Sequence, residues 1–170
     1  MQIKKVALPE TSMLINNPND YRDSYCGQID LQDKTITIDQ VGNAFFVSSP
    51  KWIGLLLSFR NKIVSLFGLK TGHAISKEKK LIIEKGEQIG LFKIFDKTEN
   101  EIILGEDDKH LDFRVSLFLD SHTQHKKKLI ISTIVVFNNW FGKVYFLPVK
   151  PFHKVIVRNM LKNTIQELKY

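Results

Sequence analysis

Apolar positions recur along this chain with two different periods. A weakly alternating stretch from Asp20 to Ile29, carrying Tyr21, Ser24 and Tyr25, predicts a first strand. Asp39 is the expected N-cap of a short helix bearing Val41, Ala44, Phe45 and Phe46. Ser48-Ser49-Pro50 opens a second helix, which runs to about Phe67 and stops at Gly68. In that helix the apolar side chains fill an arc of about 200°, wide enough to mean burial, and Arg60 stands near its middle.

From Leu81 the period becomes two. Leu81–Glu84, Ile89–Phe95, Glu101–Glu106, His110–Asp120 and Lys128–Asn138 read as strands separated by turns too short for anything but antiparallel neighbours. In the fourth of these, Leu111, Phe113, Val115, Leu117 and Leu119 make an apolar face, with His110, Asp112, Arg114, Ser116, Phe118 and Asp120 opposite. The pattern after Asn139 is helical, interrupted by Pro148 and Pro151. A long helix is predicted from Pro151 to about Leu168, with His153 and Met160 on its packed side.

Helices segregated from a run of antiparallel strands define an α+β fold. A curved sheet around a long C-terminal helix, with two short helices after the first strand, is the helix-grip arrangement. It leaves room for a cavity between sheet and helix. Pro9, Asn16, Asn17 and Pro18 make residues 1–19 an extended N-terminal arm, and 20–170 are expected to form one domain.

Composition narrows the function without naming it. The 170 residues are 43% hydrophobic and 25% charged, ordinary for a globular protein and unlike a disordered or disulfide-built chain. The single Cys26 cannot form an internal disulfide, so a reducing, cytoplasmic setting is expected. No signal peptide is expected at the start. The longest apolar stretch, Leu129 to Phe137, falls well short of the roughly twenty residues of a spanning helix. The net charge of +7 comes from lysines spread over separate elements, among them Lys126-Lys127-Lys128. With no base-stacking motif beside them, solvated surface is the default reading rather than nucleic acid.

The stretch Gly105-Glu106-Asp107-Asp108-Lys109-His110-Leu111-Asp112-Phe113-Arg114 resembles the signature of a bacterial domain-of-unknown-function family. Pro50-Lys51-Trp52 through Arg60-Asn61, Phe67-Gly68-Leu69-Lys70 and Val149-Lys150-Pro151-Phe152-His153-Lys154 extend the resemblance, with a weaker match at Asp20-Tyr21, over about residues 20–165. That family is similar to the START-like helix-grip superfamily of lipid carriers, hormone receptors and polyketide cyclases. The resemblance implies the fold and leaves the activity open.

The candidate chemistry lies in polar groups placed against apolar surroundings. Asp107, Asp108, His110 and Asp112 offer oxygen and imidazole groups, but side chains about 6–7 Å apart along one strand cannot close a metal cage. The bland reading is a turn leading into an ion-paired strand face, with Arg114 neutralising Asp112. Arg60 needs a partner inside its apolar arc: a sheet carboxylate or a ligand anion. His153 is a general acid or base, or a hydrogen-bonded core histidine. Nucleophilic catalysis has little support, since Cys26 has no pairing motif and no Gly-x-Ser-x-Gly or phosphate loop occurs.

The reading is a small hydrophobic or amphipathic molecule held in the cavity, with Arg60, Asp108, His110, Asp112, Arg114, His153 and Met160 as candidate ligand-binding residues. No metal, cofactor, nucleic-acid partner or stable membrane insertion is expected, and a homodimer is left open. The alternatives are a cyclase- or hydrolase-like enzyme with an acidic/His pocket, and a non-catalytic accessory module for a partner protein.

Overall fold

A computed structural model of the chain describes residues 2–30, 35–50, 81–123 and 126–169. The second expected helix and Arg60 lie outside the described residues.

The described strands form one antiparallel sheet of seven, ordered β1-β2-β7-β6-β5-β4-β3. They are β1 (Lys4–Lys5), β2 (Tyr21–Asp30), β3 (Gln88–Ile89), β4 (Phe92–Lys97), β5 (Glu101–Asp107), β6 (Leu111–Thr123) and β7 (Lys126–Phe137). β3 to β7 follow the chain as a meander. β2 then pairs with β7, Tyr21 opposite Val135 and Asp30 opposite Lys126. Register shifts at Ile94/Asp96 and Ser121/Thr123 interrupt the ladders, and such irregularities bend a sheet. The two described helices are α1 (Ile38–Val47) and α2 (Trp140–Glu167).

Two strand expectations are corrected. Ile89–Phe95 is not continuous: Gly90, with φ at +61°, turns the chain so that Ile89 faces Phe92 in a tight hairpin. Leu81–Glu84 joins no sheet, because its backbone is occupied elsewhere. Leu81 N–H donates to Asn43 Oδ1 (3.1 Å) on α1, and the Ile83 carbonyl accepts from Lys97 Nζ (2.9 Å).

The helix starts and stops are corrected as well. Thr37, not Asp39, caps α1. Its hydroxyl accepts from Gln40 N–H while Gln40 reaches back to the Thr37 N–H, a reciprocal capping box. Asp39 sits in the first turn and pairs with Lys97 at 2.7 Å. The C-terminal helix begins at Trp140 rather than at Pro151 and runs through both prolines. Each proline removes one helical N–H, freeing the carbonyls of Val144 and Leu147. Those residues lie on the exposed side, where solvent can reach the carbonyls.

The largest core cluster among the described residues lies between the sheet, α1 and α2. Tyr25, Ile29, Leu104, Leu117, Leu129 and Ile131 of the sheet meet Val41, Phe45 and Phe46 of α1 and Val157, Met160, Leu161 and Ile165 of α2. At about 1.5–3 kcal/mol for each large apolar side chain, this layer dominates the folding energy. α2 packs tightly over Gly27, where a Cβ would stand 2.5 Å from Ile165 Cδ1.

The opposite face of β6 was expected to be polar and is buried in part: Ser116 and Phe118 are buried, while Asp112, Arg114 and Asp120 are half-buried. Residues ahead of β2 lie across it, with Leu14 packing on Ile103 and Ile134. Beneath them Glu101 is only 1% exposed. Its carboxylate accepts from Ser12 Oγ (2.6 Å), Ser116 Oγ (2.5 Å) and Met13 N–H (2.8 Å), which ties the N-terminal segment to β5 and β6.

Candidate functional site

The acidic-histidine motif forms the β5–β6 turn and is pinned to the start of α2. Asp112 Oδ1 accepts from the Asp108 N–H (3.1 Å) and from Asn138 Nδ2 (3.0 Å), while Asp108 Oδ1 accepts from the Lys109 N–H (2.7 Å). Asn138 and Asn139 side chains donate to the carbonyls of Asp108 and Lys109, both at 2.8 Å. Asn139 also caps α2 by accepting from Gly142 N–H (3.0 Å). These carboxylates are therefore engaged in fixing backbone.

His110 points inward from the same turn and is 2% exposed. Its ring meets Tyr145 of α2 edge-on, centroids 4.9 Å apart, and Nδ1 lies 3.6 Å from Asp108 Oδ2. Above it, Gly142 passes so close that a Cβ there would stand 2.0 Å from the His110 carbonyl oxygen.

Arg114 does not pair with Asp112, and the strand register explains why. It lies opposite Gly105, which has no side chain to block it, so its guanidinium crosses β5 to meet Asp107 at 2.6 Å. There it also covers the Phe95 ring at 3.6 Å, a cation–π contact on the sheet face away from α2.

His153 stands two turns beyond Tyr145 on α2 and belongs to a second polar cluster. Its Nε2 is 3.3 Å from Asp23 Oδ1, and Tyr21 Oη donates to Asp23 Oδ2 at 2.6 Å. Side-chain exposures are 1% for Asp23 and 16% for His153. Thr133, opposite Asp23 on β7, is buried with no hydrogen-bond partner for its hydroxyl among the described residues. Lys150 Nζ lies over the Tyr21 ring at 5.2 Å, and Phe146 packs on the same ring at 4.9 Å.

The electrostatics follow from this placement. Burial pushes the Asp23 carboxyl up, but the hydrogen bond and charge of His153, the Tyr21 hydroxyl and Lys5 outweigh it and hold Asp23 below its ordinary value. Burial, then the bond to Asp23, drives the Tyr21 hydroxyl far above its ordinary value, so it stays a neutral donor. Burial also raises the Cys26 thiol, which disfavours the thiolate.

The structure thus brings Asp108, His110 and Asp112 together at one corner and leaves the other candidates apart. Arg114 is across the sheet, Met160 is in the core, and His153 works with Tyr21 and Asp23. Asp23 was missed by sequence reasoning. Its signal was an acidic residue on the inward-facing set of β2, between Tyr21 and Tyr25, hidden by the weak alternation of that strand. Among the described residues, no group of three or more His, Cys, Asp or Glu stands close enough to hold a metal ion. A separate open groove of about 350 Å³, lined by Gln40, Asn43 and Val47 of α1 with Glu167 and Leu168, lies at the far end of α2.

The family profile described as "Protein of unknown function (DUF2867)" matches residues 16–160, and the chain belongs to that family. No curated protein and no solved structure matches it.

Proposed function

Taking that family membership as the premise, we propose that the domain is a START-like helix-grip fold and binds a small hydrophobic or amphipathic molecule. The ligand lies between the sheet and α2, its polar end at Tyr21, Asp23 and His153. Asp23 carries this reading. A carboxylate buried beside a histidine contributes less to adhesion than two well-packed apolar side chains would. Its presence beside the apolar Phe146, Val135 and Val157 supports a recognition role, since apolar sites orient ligands with few polar groups. In this reading His153 meets the polar end and Met160 the apolar end. Asp108, His110 and Asp112 hold the wall in place, and Arg114 supports it from the other face of the sheet.

The hydrogen bond between Asp23 and His153 also favours a second reading, an enzyme of cyclase or hydrolase type. There His153 acts as base and Asp23 orients it.

Native mass spectrometry of gently purified protein is expected to show a retained small molecule that organic extraction removes. A fluorescent fatty acid then binds the emptied protein, at least tenfold more weakly in a folded Met160→Trp variant, whose bulk intrudes on the site. Protein that carries no extra mass and binds no dye would sink the ligand reading.

A further inference from the structure

α2 has a second apolar face. At 100° per residue, Trp140, Val144, Leu147, Phe152 and Val155 share an outward arc of about 140° with both prolines, opposite the arc that enters the core. These five side chains are between 52% and 75% exposed. Single exposed apolar residues are ordinary, but five on one side of four helical turns form a patch.

Charge borders this patch on one side. Lys143, Lys150 and Lys154 occupy an adjoining arc of about 40°, and Lys162 continues the outward side beyond Val155. No acidic residue occurs from Trp140 to Gln166, and the whole chain carries +7. The helix is therefore cationic along the length over which it is apolar.

We propose that this face docks the domain onto an anionic lipid surface. The helix lies in the headgroup plane, with Trp140, Leu147 and Phe152 reaching toward the acyl chains and Lys143 and Lys154 against lipid phosphates. Two features favour lipid over a protein partner. The patch is a ridge, which enters a headgroup layer without needing a matching groove. The carbonyls freed by Pro148 and Pro151 open onto this face and need donors, which hydrated headgroups supply and a dry protein interface does not. Among the described residues no helix is long and apolar enough to cross a membrane, so the attachment is peripheral. The inference rests on the outward side of α2 and stands apart from the ligand reading.

Sedimentation with phosphatidylcholine vesicles, with and without phosphatidylglycerol, tests it. The protein is expected to bind only the anionic vesicles, and less as salt screens the charge. In a Trp52→Phe background, Trp140 emission shifts to the blue on binding. Leu147→Glu/Phe152→Glu abolishes binding, and Lys143→Gln/Lys154→Gln weakens it roughly thirtyfold. These positions are exposed, so circular dichroism stays that of wild type. Equal partition onto neutral vesicles, no partition at all, or variants that bind like wild type would overturn the proposal. So would a lipid-free dimer that Leu147→Glu dissociates, which would assign the face to a second copy of the chain.

Discussion

Gly142→Ala is expected to destabilise the protein by about 2–3 kcal/mol, the upper range for overpacking. At an exposed helix position the same change would add about 1 kcal/mol of stability through helix propensity. Here the new Cβ would stand 2.0 Å from the His110 carbonyl oxygen and 2.9 Å from its carbon. Both are backbone atoms, and neither can turn aside. The first turn of α2 would have to retreat by about 1.5 Å to reach ordinary contact. That retreat loosens the Asn139 cap, the Asn138 N–H bond to the His110 carbonyl (3.0 Å) and the His110–Tyr145 ring contact. Urea unfolding followed by circular dichroism gives the sign directly. A variant as stable as wild type would mean that α2 does not press on the β5–β6 turn.

The second large effect is expected at His153. Removing one partner of a buried pair costs about 3–5 kcal/mol, against less than 1 for a surface pair. His153→Leu leaves the Asp23 carboxylate with Tyr21 and Lys5 alone, so the lower end, about 3 kcal/mol, applies. Asp23→Asn/His153→Leu recovers most of the loss, because a neutral amide still accepts the Tyr21 hydroxyl proton. The pH dependence has a definite sign. Asp23 is held below its ordinary value, so its contribution is present above about pH 4 and disappears as the pH falls through the folded value. Without His153 only the Tyr21 hydroxyl and Lys5 offset the burial effect, so the Asp23 carboxyl moves up in the variant. The gap between variant and wild type is therefore wide at pH 7 and narrows toward pH 3. A gap that is constant across that range would show that His153 acts through packing alone.

Most of the sheet was legible because its strands are local and strongly alternating. Glu101–Asp107, Leu111–Thr123 and Lys126–Phe137 lie within a few residues of their expected limits. The errors have physical causes that a periodicity cannot carry. Leu81–Glu84 alternates correctly, but Asn43 and Lys97 bind its backbone before any strand can. Pro148 and Pro151 would end most helices, yet they fall on the solvated side of α2, where a missing donor matters least. The polar face of β6 is buried at Ser116 because a segment about a hundred residues upstream lies across it with Ser12 and Leu14. For the site, His153 was visible as a polar residue on a packed helix side. Its partner was not, since pairing Asp23 with His153 depends on how β2 joins the sheet.

The place of β2 beside β7 also governs how the protein is made. Tyr21 and its partner Val135 are about 110 residues apart in the chain. At about 5–20 residues per second, a ribosome takes roughly 6–20 s to build the stretch between them. During that time Tyr25 and Ile29 have no β7 to pair with, while the β4–β5–β6 hairpins can close as they emerge. An arrest-peptide assay on truncated nascent chains is expected to register its main pulling event only after Lys126–Phe137 clears the exit tunnel. A strong event before Lys126 is synthesised would mean that β2 is captured earlier. The nascent chain thus waits for one strand, and synthesis pauses or chaperone contacts just upstream of residue 126 would fall on its most aggregation-prone interval.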